Sequence, residues 1–166
     1  MARPALTGWS STERKSPDGA VQFEQRVSAT RPLVELTERG AAALGERYWQ
    51  EVEACTHGLV RTHRQAAGVE LRLVGRWPLL RFGAPQTLVD ASGVLCRFPI
   101  TGGRLARSPG GSITFAQVVA PAIELRATID GFYPRLSARL YRHVQQRIHT
   151  SISRRYFERL IAEGPR

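Results

Sequence analysis

The chain has two cysteines, a single lysine and no apolar run near the ~18 residues that a membrane-spanning helix needs. Cys55 and Cys96 cannot build a disulfide framework and form no C-x-x-C pair, so their use fits a reducing cytoplasm with both thiols as small buried groups. No H-E-x-x-H element or Cys/His cluster occurs, and the sequence calls for no metal and no cofactor. The glycine-rich stretch "PITGGRLARSPGGSITF", Pro99–Phe115, is no nucleotide loop: no lysine follows Gly111, and Gly102 and Gly103 are adjacent. No serine sits in a nucleophile elbow, and no Ser-His-Asp arrangement can be inferred. The opening "MARPALTGWSSTERKSPDGA" lacks the apolar centre of a signal peptide, and residues 1–19 are expected to form a mobile leader outside the core. Residues 20–164 then make one domain.

What is present is positive charge. Lys+Arg total 24 against 14 Asp+Glu, a formal net charge of +10 with pI near 11.1, and all but Lys15 of the positive residues are arginine. Such a field attracts nucleic acid, anionic lipid or an acidic partner. The arginines run from Arg3 to Arg166 without a dedicated tract, which equally fits a solvated basic surface. The 42% apolar content over 166 residues is enough for one substantial core.

The order of elements is consistent along the chain. "VQFEQRVSA", Val21–Ala29, alternates apolar and polar residues as a half-buried strand does. "PLVELTERGAAALGERYWQEVEA" follows, with Thr30 as a cap and Pro32 in the first turn; Gly40 and Gly45 interrupt it, so two short helices are expected. From Gly58, seven apolar runs bounded by Gly, Pro and Ser ("GLVRTHRQ", "VELRLVG", "PLLRF", "QTLVDA", "GVLCRFPIT", "GSITFAQVV", "AIELRATIDGFY") read as an antiparallel meander. In the last run Ile123, Leu125, Ala127, Ile129, Gly131 and Tyr133 share the inward face. "PRLSARLYRHVQQRIHTSISRRYFERLIAEG" then runs without Gly or Pro up to Gly164. It predicts one amphipathic helix from Leu136 to Ala162, with Tyr141, Gln145, Ile148, Ile152 and Tyr156 inward and Arg147, Ser153 and Arg154 outward.

One strand, short helices, an antiparallel run and a long C-terminal helix, carried by stretches such as "FEQRVSAT" and "RLYRHVQQRIHTSISRRYFERLI", resemble the START-like or SRPBCC superfamily over Val21 to Glu163. That superfamily includes the plant Bet v 1 allergens and bacterial polyketide cyclases. The resemblance implies an α+β helix-grip fold, a curved antiparallel sheet wrapped round the long helix. It also implies a cavity for a lipid, sterol, polyketide or other aromatic molecule. No catalytic residue carries over, because the superfamily shares no invariant set.

If the sheet grips the helix, Tyr141, Gln145 and Ile148 face Phe98, Phe115 and Leu125 across the pocket. Arg97, Arg104 and Arg107 are the candidates for an anionic group at its entrance, through charge-assisted bonds. His149 borders the inward stripe, either as a boundary histidine or beside the pocket; His57 and His63 lack a third metal ligand. Two functions follow: a small-molecule carrier or cyclase-like protein, or a basic module binding nucleic acid or an anionic partner.

Overall fold

The computed structural model describes residues 6–135 and 146–164. These form an α+β structure in which a nine-stranded open antiparallel sheet carries two helices on one face. The strands are β1 (Ser10–Lys15), β2 (Val21–Ser28), β3 (Val60–Gln65), β4 (Gly68–Leu73), β5 (Trp77–Gly83), β6 (Gln86–Asp90), β7 (Gly93–Gly102), β8 (Ser112–Val118) and β9 (Glu124–Phe132). Helix α1 (Glu38–Cys55) lies between β2 and β3, and α2 (Gln146–Glu163) ends the described chain. The order across the sheet is β1-β2-β9-β8-β7-β5-β4-β3, with β6 also beside β7. All seven expected runs after Gly58 are therefore strands, and each neighbouring pair is antiparallel.

Alternation decides which face is covered. Val21, Phe23, Gln25 and Val27 of β2 and Val94, Cys96, Phe98 and Ile100 of β7 are buried, while their neighbours along each strand are more exposed. Strand β7 is the hinge of the sheet. Its first half pairs with β6 and its second half with β5, the two separated by Ala84-Pro85, where proline has no N–H to give the ladder. Shifts of register at Leu71/Arg72, Arg81/Phe82 and Val21/Phe23 mark bulges, which bend strands and increase their twist.

Four expectations are corrected. The two short helices are one, because Gly40 and Gly45 are sites of close approach rather than breaks. A Cβ on Gly45 would lie 2.6 Å from the Phe98 ring and one on Gly40 would lie 2.0 Å from the Glu35 carbonyl oxygen. The N-cap is Thr37, not Thr30: its hydroxyl accepts from the Gly40 N–H at 3.1 Å.

Part of the segment expected as a leader is strand β1. Ser10–Lys15 pairs residue for residue with Arg26–Val21, and Trp9 packs edge-on against Phe157 of α2 at 5.9 Å. The polar side chains of β1 point to solvent, so only backbone hydrogen bonds hold it, and composition carries no trace of those.

In β9, Gly131 adopts φ +66° and offsets the alternation, so Phe132 is buried and Tyr133 is not. The last correction is Ser153, expected outward but buried, because α2 packs on α1 as well as on the sheet. Of the helix expected over Leu136 to Ala162, the part before Gln146 lies outside the described residues.

The core is aromatic. Trp49 meets Phe98 edge-to-face at 5.2 Å, Phe82 at 4.9 Å and Tyr48 at 5.4 Å, and Tyr48 meets Phe115 at 4.4 Å. Such pairs add roughly 0.5–1.5 kcal/mol each beyond area burial. Between the helices, buried Glu51 of α1 pairs with Arg155, at 3.4 Å, and with Arg159 of α2. Among the described residues no helix is long and apolar enough to cross a membrane.

Candidate functional site

Between the two helices and one end of the sheet lies a cavity of about 270 Å³. Helix α1 supplies Tyr48, Trp49 and Val52. Strands β3 to β5 supply Val60, Leu71, Leu73, Leu79, Leu80 and Phe82, and β7 to β9 supply Ile100, Ile113, Ile129 and Phe132. Leu105 closes one side from the long loop, and Ile148, His149 and Ile152 close another from α2. Among the described residues this wall holds no Arg, Lys, Asp or Glu.

Local structure explains how these side chains meet. Val52 falls one turn beyond the adjacent Tyr48 and Trp49 on the stripe of α1 that buries Ala41, Leu44 and Gly45, and Gly45 lets that stripe sit close on β7. The hydroxyl of Thr56 ends the helix by donating to the Val52 carbonyl at 2.8 Å, and it accepts from the Val60 N–H at 3.1 Å. It thereby turns the chain directly into β3.

The loop after β7 folds back rather than swinging free. The Leu105 N–H donates to the Leu79 carbonyl and the Arg107 N–H to the Tyr133 carbonyl, at 3.0 and 2.8 Å. A Cβ on Gly103 would meet the Leu79 carbonyl oxygen at 2.4 Å, and one on Gly111 would meet that of Asp130 at 2.3 Å. The Gly-Gly pairs thus serve close backbone approach, which presses Leu105 into the cavity wall and Ala106 into the core.

Besides the Thr56 hydroxyl and the Trp49 indole N–H, the polar groups of the wall are Tyr48 and His149, whose phenol oxygen and Nδ1 lie 3.4 Å apart. Burial pulls the imidazole down to about 4, so it is neutral at pH 7. Burial also pushes the Tyr48 hydroxyl well above its ordinary range, although a hydrogen bond to Ser153 opposes the shift. Both groups are therefore uncharged, one a donor and the other able to accept.

The sequence-derived site residues divide. Ile148 lines the cavity, with its outer side 46% exposed at the mouth. Phe98, Phe115 and Leu125 are buried on the same face of the sheet but sit in packed core beside the cavity, not in its wall. Tyr141 and Gln145 lie outside the described residues. Arg97 is exposed on the opposite face of the sheet, in a polar depression with Gln86, Thr114 and Asp130. Arg104 and Arg107 lie on the outside of the loop, over the rings of Trp77 at 5.9 Å and Tyr133 at 5.7 Å. His57 and His63 are exposed, and no group of three metal-ligating side chains comes together among the described residues.

Sequence reasoning missed most of the wall. Val69, Leu71 and Leu73 alternate in "VELRLVG", and the adjacent Tyr48-Trp49 pair marks the apolar stripe of α1; both signals were available. Several of the arginines are locally paired: Arg72 and Arg81 share Glu70, Arg126 pairs with Glu124, Arg154 with Glu158, and Arg47 with Glu163. Comparison with protein-family models, with curated proteins and with solved structures finds no match.

Proposed function

We propose that the chain is a helix-grip protein of the START-like kind that binds a small hydrophobic or aromatic molecule inside the cavity, as a carrier or a cyclase-like protein. The observation that carries this is an apolar space of about 270 Å³ in an otherwise close-packed core. The strand order supports it: β2, the first strand under the helices, lies beside β9, the last, as a sheet that closes round a C-terminal helix requires. Leu105 and Ile148 form the rim, and Ile148 is the residue there already half open to solvent.

A thermal-shift screen of fatty acids, sterols and aromatic polyketides tests the reading, with wild type beside Ile148→Trp. A ligand at a hundredfold excess over Kd stabilises the folded chain by about 2.7 kcal/mol. The wild type should respond to at least one class, and the tryptophan should reduce that response by filling the mouth. A wild type that responds to none of them overturns the reading. If that same protein holds nucleic acid at physiological salt, the basic surface is the functional one.

A further inference from the structure

We propose that the cavity selects an uncharged aromatic alcohol of one or two rings, whose hydroxyl sits between the Tyr48 hydroxyl and the His149 imidazole. The inference rests on the small-molecule reading above and names its ligand class.

Size sets the first limit. An apolar cavity of about 150 Å³ holds one benzene ring. The present volume of about 270 Å³ therefore has room for roughly two rings and not for a sterol skeleton. Phe82, Trp49 and Phe132 in the wall offer faces and edges against which a flat ring packs.

Charge sets the second. The described wall has no cation to meet a carboxylate or phosphate, and an ionised group buried without a partner is strongly disfavoured. Arg104 and Arg107 do not alter this, because each lies over an aromatic ring outside the loop whose inner residue is Leu105.

Hydrogen bonding sets the third. The Thr56 hydroxyl is already committed to the Val52 carbonyl and the Val60 N–H. Tyr48 and His149 are held loosely at 3.4 Å, beyond the usual 2.7–3.0 Å of a strong bond. A ligand hydroxyl can accept from the phenol and donate to Nδ1 at once; a ketone satisfies only the first and an ether cannot donate. The neutral imidazole at pH 7 keeps that acceptor available.

The test measures binding of naphthalene, 2-naphthol, 2-methoxynaphthalene and 2-naphthoate by calorimetry at pH 7, with wild type, Tyr48→Phe and His149→Phe. In the wild type 2-naphthol should bind about tenfold more tightly than naphthalene or the methyl ether, the scale of one net buried hydrogen bond. 2-Naphthoate should be the weakest. Tyr48→Phe should bring naphthol and naphthalene within about threefold of each other while naphthalene affinity is kept. If circular dichroism shows that either variant misfolds, the methyl ether on wild type carries the test, because it removes the donated proton without touching the protein. Equal binding of naphthalene and 2-naphthol, or tightest binding of 2-naphthoate, overturns the inference and leaves the cavity reading standing. Failure of all four compounds to bind overturns both.

Discussion

Gly45 of α1 lies against the ring of Phe98 on β7, and a single added carbon would stand 2.6 Å from the ring edge. That contact sets the height of α1 above the sheet and so the position of Tyr48 and Trp49, one turn further along, in the cavity wall. Gly45→Ala should therefore destabilise the protein by about 1–3 kcal/mol through overpacking, although alanine is favoured over glycine inside a helix by about 1 kcal/mol. Urea unfolding measures the sign. The double variant Gly45→Ala/Phe98→Leu should recover part of the loss, and a more stable single variant would show that α1 can rise without cost.

The second prediction concerns Gln117, a buried amide on β8. Its oxygen accepts from the N–H groups of Leu33 and Val34 at 2.6 and 3.0 Å, and its nitrogen donates to the Val34 carbonyl at 2.9 Å. This pins the turn before α1 to the middle of the sheet. Gln117→Leu keeps the volume and leaves three buried backbone groups unpaired, which should cost about 2–4 kcal/mol in chemical denaturation. A loss under 0.5 kcal/mol would mean that water or backbone takes over those bonds.

How much of this was legible follows from what each feature depends on. The strands from Val60 to Phe132 could be read because side-chain alternation and turn residues are local signals, and Cys96, Phe98 and Ile100 point inward as their spacing requires. The continuity of α1 could not be read, since Gly45 looks like a breaker until Phe98 is known to lie beneath it. The edge strand Ser10–Lys15 was hidden for the opposite reason, its stability lying in backbone pairing. The cavity wall depends on three distant segments meeting, α1, β3 to β5 and α2, and no single window of sequence contains that. Tyr133 was assigned inward because a bulge at Gly131 shifts the count by one and periodicity alone does not register it.

Residues 1–16 offer a third test. If β1 only decorates the edge, removing it is harmless. Trp9, however, meets Phe157, which is fully buried on α2, and β1 covers the outer edge of β2 from Val21 to Arg26. Deletion of residues 1–16 should lower the melting temperature by several degrees, on the scale of about 2–4 °C per kcal/mol for a domain of this size. It should also promote association through the uncovered edge of β2. An unchanged melting temperature and a monodisperse product would place the segment outside the cooperative unit.

The last prediction is a pH dependence that His149 alone should produce. Burial lowers its pKa to about 4 from an ordinary 6.5, because the charged form would sit in the cavity beside the Tyr48 hydroxyl and 6.5 Å from the ring of Phe23. Between those two values the unfolded chain binds a proton that the folded chain refuses. Stability is therefore full above about pH 6.5 and declines as pH falls toward 4, by up to about 1.4 kcal/mol per pH unit. Carboxylates shift the other way: the pKa values of Glu53 and Glu70 lie below the ordinary 4.5 despite some desolvation, through hydrogen bonds from Thr62 and from Arg72 and Arg81 respectively. Their contribution is present above 4.5 and fades only below it, so the window from pH 6.5 to 5 isolates the imidazole. His149→Phe should flatten the difference in unfolding free energy between pH 7 and pH 5 by about 1–2 kcal/mol relative to wild type. An unchanged slope would mean that water reaches the half-buried ring and the folded protein accepts the proton on His149 freely.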